Sequence, residues 1–347
     1  MKNHTSLIRW GTVLAISAPL LAGCLGSTSK KRVDPGPLLT PEIISKMSPM
    51  ERVEQLPKTL SVADVWANGE IWSRAEEEYN FATLLDPKSA AAWVGLGKAR
   101  LGLKQPAGAK TAFDTGLKLA KETSQPQHQA AALHGLYNVA TDKGKALPLA
   151  ERAAALYRQA GAPTEAMADL LDNMGMVLSK SGRYADAEIA LQEALKFNRD
   201  KYRVREVLRN NIVLGNHYGR SKEPAKAVVH YSEALKFLDE FGLSKKDRVM
   251  KAIVLGNLGQ AQHRLEKYDQ ALALHKRALK DRQQLKMNDP VAVSLSSIAD
   301  VYESKGNIPA ACEYWQKTVD FTARIATRVN GQEEAKKLKE FNCPAAS

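Results

Sequence analysis

Cysteine is scarce: three occur in 347 residues, Cys24, Cys312 and Cys343. None stand as C-x2-C, and no H-E-x-x-H occurs, so the sequence signals neither a thiolate zinc site nor a metalloprotease helix. Nucleophile motifs of the G-x-S-x-G kind are missing as well. Gly95-Leu96-Gly97-Lys98 lacks both the spacing and the Ser/Thr of a phosphate loop. The seven histidines are scattered. His275 falls at a packing position and His217 and His263 on expected first helices, so each reads as a core or groove residue rather than a catalytic base. These absences argue against an enzyme, a cofactor, a metal or a small-molecule substrate. Aromatic residues are only 6% of the chain, and an alanine-rich, aromatic-poor composition suits helices packed closely together.

What is present is a repeat. The stretch from Asp172 to Ala194 combines Met174-Gly175 with Gly182, Tyr184, Ala187, Leu191 and Ala194. With Gly175 as position 8, Ala187, Leu191 and Ala194 take positions 20, 24 and 27. The same offsets recur at Trp93, Leu96-Gly97, Ala109, Phe113 and Gly116, then at Leu214-Gly215, Tyr218, Ala227, Tyr231 and Ala234. They return at Leu258-Gly259, Tyr268, Ala271, His275 and Ala278, and at Ile298-Ala299, Tyr302, Gly306, Ala311 and Trp315. Ala75, Tyr79, Ala82 and Pro87 fit the end of an earlier copy, and a weaker one surrounds Gly135 with Ala146, Ala150 and Ala153. Small residues at 8, 20 and 27 let two helices approach; large ones between them fill the space between neighbours.

This spacing resembles the tetratricopeptide repeat, a helix–turn–helix unit of about 34 residues. The resemblance implies an all-α fold: a right-handed solenoid of about seven units over residues 55–325, with a C-terminal cap at 326–347. One pair cannot bury its apolar face, so units must stack. The later units are spaced more widely, which resembles the longer variety found in kinesin light chains and bacterial peptide-sensing regulators. The extra residues are expected to lengthen helix ends and loops.

In that family, fixed positions of each first helix line the concave face. Carried over, they fall on Asp172, Asn173 and Met176; on Arg209, Ile212, Asn216 and Arg220; on Ile253, Asn257, Gln260, His263 and Arg264; and on Ser297, Asp300 and Glu303. An asparagine amide both donates and accepts, so it can clamp an extended peptide backbone; it can equally serve a helix–helix hydrogen bond. Asn216 and Asn257 stand where the family's carboxylate-clamp asparagines stand. Ile212 and Val293 occupy two of the clamp's lysine positions, so capture of a C-terminal carboxylate is not implied. The expected peptide-binding groove is Asn173, Arg209, Asn216, Arg220, Asn257, Gln260 and Arg264.

The N-terminus has a different character. Lys2 and Arg9 precede an apolar run from Gly11 to Leu21, too short to span a bilayer comfortably and suited to a signal segment. It ends in Leu21-Ala22-Gly23-Cys24, which resembles a bacterial lipobox. That resemblance implies a signal peptide at 1–23, cleavage before Cys24, and diacylglycerol on the Cys24 thiol. Residues 24–54 then form a lipid-anchored tether and leading segment, with a short helix expected over Pro41–Leu56. Leu25, where an aspartate would mark inner-membrane retention, implies an outer-membrane lipoprotein facing the periplasm. Membrane contact is then through the lipid alone, and nucleic acid is not an expected partner.

The charge is uneven. The chain carries 50 basic and 38 acidic residues, formally +12. Residues 196–286 hold 21 basic and 10 acidic ones, a net of +11. This surplus reads either as solvated helix faces or as a docking surface for an acidic protein segment or an anionic polymer. Beyond Asn330-Gly331, residues 332–341 read as a charged capping helix. An exported chain meets an oxidising compartment, and Cys312 and Cys343 are the two thiols left after acylation, so a disulfide between them is expected; two unpaired thiols are the alternative. A lipid-anchored array of this kind resembles the assembly lipoproteins of Tad/Flp pili and type IV pilotins. The implied function is a non-enzymatic scaffold for an envelope machine such as a pilus or secretin system. A cell-wall accessory role, binding or activating a peptidoglycan enzyme, is the other reading. Replacing Cys24 with Ser is expected to leave the precursor uncleaved by the lipoprotein peptidase and to shift any released chain out of the membrane fraction. Normal processing and full membrane retention of the variant would contradict the lipobox assignment.

Overall fold

The computed structural model describes residues 39–161, 164–242, 244–325, 327 and 330–344. Cys24, the signal segment 1–23 and the tether up to residue 38 lie outside them. Among the described residues the regular structure is all helical. A short α1 (Pro41–Lys46) is followed by seven helix pairs. They are α2 (Pro49–Asn68) with α3 (Trp72–Leu85), α4 (Ala90–Gly102) with α5 (Pro106–Glu122), and α6 (Pro126–Val139) with α7 (Leu147–Gln159). Then come α8 (Glu165–Lys180) with α9 (Tyr184–Asp200), α10 (Val204–Arg220) with α11 (Pro224–Phe241), α12 (Lys245–Arg264) with α13 (Tyr268–Gln284), and α14 (Asn288–Ser304) with α15 (Ile308–Arg324). Helix α16 (Gln332–Glu340) closes the row. No helix among the described residues is long and apolar enough to cross a membrane.

Local sequence explains where the helices start and stop. The expected single helix over Pro41–Leu56 is split, because Ser48 starts a new one. Its hydroxyl accepts from the Glu51 amide while the Glu51 carboxylate accepts from the Ser48 amide, a capping box that satisfies two orphan donors of α2. Ser244 and Asp247 repeat the device at α12. Pro106, Pro126 and Pro224 sit in the first turns of α5, α6 and α11, where the missing N–H costs nothing. At the other ends a left-handed residue reverses the chain: Gly182 and Gly306 where no side chain is present, but Lys104, Tyr202, Lys222, Glu266 and Lys286 elsewhere.

The wider spacing of later units is taken up by only one of the two expected routes. Helix α4 has 13 residues and α12 has 20, yet the turns 221–223, 265–267 and 305–307 stay equally short. The extra residues lengthen the helices, not the loops. A longer helix adds one backbone hydrogen bond per residue and more apolar face, whereas a longer loop adds only ordering cost.

Four of the pairs are held by a glycine facing a large side chain of the second helix, while Gly135 of α6 faces Phe113 of the preceding pair. A Cβ built on Gly97 would lie 2.6 Å from the Phe113 ring, and one on Gly175 would lie 2.6 Å from Leu191. The equivalent distances are 2.5 Å from Gly215 to Tyr231 and 2.9 Å from Gly259 to His275. Positions 20 and 27 are likewise filled by fully buried alanines: Ala109, Ala187, Ala194, Ala227, Ala271 and Ala278. Successive helices pack in order, and first helices also touch across pairs: α2 with α4, α4 with α6, α8 with α10, α10 with α12, and α12 with α14. The first helices thus line up in two runs, α2 to α6 and α8 to α14, that make the inner row.

At the C-terminal end α16 folds back onto the last pair. Cys312 and Cys343 are disulfide-bonded, with Cα atoms 5.6 Å apart. The Phe341 ring lies 5.3 Å from that of the fully buried Trp315. Lys337 reaches Glu303 at 2.6 Å and Asp300 at 3.3 Å. On the loop-entropy model, closing this 31-residue separation stabilises the native state by about 3–4 kcal/mol. It does so at a solenoid end, where fraying is otherwise easiest.

Candidate functional site

The inner row carries two polar layers, one buried and one open. The first begins at Asp172 on α8, which is 1% exposed. Burying a lone carboxylate is costly, and the neighbouring unit supplies its partners. Arg209 of α10 donates from Nε to Asp172 Oδ2 at 2.6 Å, and Asn210 donates from Nδ2 to Oδ1 at 2.8 Å. Asn198 of α9 donates to Asn210 Oδ1 at 2.7 Å, and Arg203 donates to Asn198 Oδ1 at 2.8 Å. Asn198 and Asn210 are each 1% exposed. Arg209 also reaches Asn173 Oδ1 at 3.3 Å.

Two expectations change here. Asp172 is not a groove-lining residue but a buried structural anchor. Arg209 is not a free cation awaiting an acidic partner, because Asp172 already neutralises it. Asn198, Asn210 and Arg203 are missing from the expected site altogether. The signal for them was a polar pair, Asn210-Asn211, in the middle of an amphipathic helix, where asparagine is unfavourable unless it is bonded.

The second layer is open. Asn216 on α10 accepts at Oδ1 from the Tyr231 hydroxyl at 2.7 Å and from Asn257 Nδ2 of α12 at 3.1 Å. Burial pushes the Tyr231 hydroxyl up to about 12, so it stays protonated and donates at any physiological pH. One oxygen therefore ties α10, α11 and α12 together, leaving the Asn216 Nδ2 donor and the Asn257 Oδ1 acceptor for a ligand. Both residues are half-buried. Beside them Arg264 Nη1 donates to the Gly219 carbonyl at 2.5 Å, and Arg220 Nη1 lies 3.5 Å from the Asn216 carbonyl. Arg220, Gln260 and Arg264 are exposed. Neither arginine has a carboxylate partner among the described residues.

The last unit is not open in the same way. Asp300 and Glu303 pair with Lys337, and Ser296 donates to Glu334 at 2.6 Å. Helix α16 thus covers the inner face of unit seven, whereas Arg220, Gln260 and Arg264 of units five and six stay exposed. His263 bonds Ser304 at 2.9 Å, and burial holds its pKa below the usual imidazole value. His275 is 2% exposed with both ring nitrogens unpartnered, and burial lowers it to about 4. Among the described residues no three His, Cys, Asp or Glu side chains are placed to hold a metal ion.

Asp172 and Arg209 are expected to act as one unit. A double-mutant cycle over Asp172→Ala and Arg209→Ala, read by denaturant unfolding, should give a coupling of about 1–3 kcal/mol. A coupling near zero would return Arg209 to the free cations of the groove.

Comparison with known proteins agrees with this geometry. Two family profiles, both described as tetratricopeptide repeat, match residues 206–284 and 167–202. No curated protein sequence matches the chain. Among solved structures, the apo form of RapI is 15% identical over 83% of this chain and 80% of its own, with a TM-score of 0.58. The apo form of the quorum sensor NprR from B. thuringiensis is 15% identical over 84% and 83%, also at 0.58. NprR in complex with its cognate peptide NprX is 15% identical over 83% and 84%, at 0.50. Identities this low carry the fold alone. The chain contains tetratricopeptide repeats, and its helix pairs stack as a tetratricopeptide solenoid.

Proposed function

We propose that the chain is a non-enzymatic scaffold that binds an extended acidic segment of a partner protein across units five and six. The observation that carries this is the Asn216–Asn257 pair flanked by Arg220 and Arg264. Two amides with a spare donor and a spare acceptor can hold a peptide backbone regardless of its sequence. Two cations without carboxylate partners select for acidic side chains. Tetratricopeptide solenoids are protein-interaction folds, and one structural neighbour, NprR, is seen with a cognate peptide, which supports a peptide or protein partner.

The address comes from the N-terminal sequence: an envelope lipoprotein anchored through Cys24, facing the periplasm from the outer membrane, and assisting assembly of an envelope machine such as a pilus or secretin system. The disulfide between Cys312 and Cys343 fits an oxidising compartment.

Peptide arrays of acidic, neutral and basic composition, followed by anisotropy titrations, test the binding claim. Acidic peptides should bind best. Asn257→Ala and Arg264→Ala should each weaken binding about five- to tenfold, with the Arg264→Ala effect shrinking at high salt. No preference for acidic sequences, or variants that bind like the parent, would move the interface off the inner face.

A further inference from the structure

A second surface lies on the edge where one unit passes to the next. The turn 201–203, the end of α11 and the start of α12 lie on this edge. Tyr202 is 88% exposed, Phe241 57% and Val204 53%. No large apolar side chain on the opposite edge of these two units, at turns 221–223 and 265–267, is exposed to that degree. Beside Val204 and Phe241 a cleft of about 190 Å³ opens between α10 and α11, floored by Val207, Leu208 and Phe237.

Tyr202 has no packing reason to be there. It holds a left-handed backbone at φ 54, a position that the non-glycine residues Lys104, Ser124, Lys222, Glu266 and Lys286 fill with polar side chains. A bulky side chain in that region is disfavoured, and an aromatic ring left in water gains nothing in return. The ring sits between Lys201 on its own turn and Arg203, while Lys245 and Lys246 follow Phe241 at the start of α12. Lys201, Lys245 and Lys246 are exposed and make no ion pair among the described residues. Residues 196–206 and 236–248 hold nine basic and five acidic side chains, a net of +4. Three of those acids are already engaged: Asp247 by Arg205, Asp239 by Lys251, and Glu206 by Arg203.

We propose that this edge is a membrane-contact surface that docks on an anionic bilayer, with Tyr202 and Phe241 entering the headgroup layer and Lys201, Lys245 and Lys246 meeting lipid phosphates. The Tyr202 ring with its wet hydroxyl favours that layer, the Phe241 ring gains by burying apolar surface there, and lysines beside them gain from the negative surface potential. An acidic protein or a soluble polyanion would use the lysines but has no need of two bare aromatic tips. The contact is independent of any lipid on Cys24. It would lay the solenoid edge-on, leaving the inner face of α10 and α12 open to the side.

The test is sedimentation of the full-length, unacylated chain with phosphatidylcholine vesicles, with and without about 30% phosphatidylglycerol. Residues 1–38 are common to all variants, so their contribution cancels. Lys245→Ala with Lys246→Ala should lower partitioning onto the anionic vesicles about 25-fold, at about fivefold per lysine, and arginine at both positions should restore it. Tyr202→Ser with Phe241→Ser should lower it several-fold. Amide exchange should slow at 199–205 and 240–247 on vesicle addition, and not at 221–223 or 265–267. Unchanged partitioning in both double variants, or protection on the opposite edge, would overturn the proposal. So would silent aromatic substitutions combined with an equal lysine dependence on soluble polyglutamate, which would identify an anionic polymer instead.

Discussion

Gly215 lies so close to Tyr231 that a Cβ added to it would sit 2.5 Å from the ring. The same approach, small residue against large, recurs at Gly97 with Phe113, Gly175 with Leu191 and Gly259 with His275. It brings two helix axes near enough for their alanines to be wholly buried, and it fixes the rotation of each helix about its axis. That rotation decides which residues face inward along the row. Because close-packed interiors do not deform smoothly, the register of one pair is handed to the next.

The candidate site depends on this contact directly. Tyr231 is the large partner of Gly215 and also the donor that holds the Asn216 amide. Packing and the candidate site therefore share one side chain: its ring fills the space between α10 and α11, and its hydroxyl orients the amide that faces Asn257. Between units four and five the polar residues serve stability instead, since Asp172, Asn198 and Asn210 are buried and bonded in one chain. The inner face is thus graded: closed by its own hydrogen bonds where α8 meets the first half of α10, open where Asn216 meets Asn257, and covered again by α16 at unit seven.

Much of the fold was legible because its determinants are local. Gly175, Ala187, Leu191 and Ala194 lie within one helix pair, and their offsets repeat, so seven pairs could be counted without knowing how they stack. The helix boundaries near Ser48 and the absorption of extra residues into α10 and α12 were less legible, since both depend on a balance between capping, helix extension and loop ordering. At the site, the residue types at Asn216 and Asn257 could be assigned to the inner face by register. The neutralisation of Arg209 could not. It requires Asp172 of the preceding unit to point into the interface between pairs, and that direction is set by how one pair rotates on the next. The burial of Asn198 and Asn210 follows from the same inter-unit geometry, which no single repeat encodes.

The central claim is that close approach at position 8 of each unit holds the solenoid together. It is tested most directly by placing the same residue at two glycines of α10. At Gly215 an added methyl meets the Tyr231 ring, whereas at Gly219 the nearest atom is the Tyr231 hydroxyl, 3.9 Å away. Denaturant unfolding should show Gly215→Ala destabilised by about 1–3 kcal/mol through overpacking. Gly219→Ala should be unchanged or more stable by up to about 1 kcal/mol, as expected for alanine replacing glycine within a helix. Equal tolerance of alanine at the two positions would contradict the account.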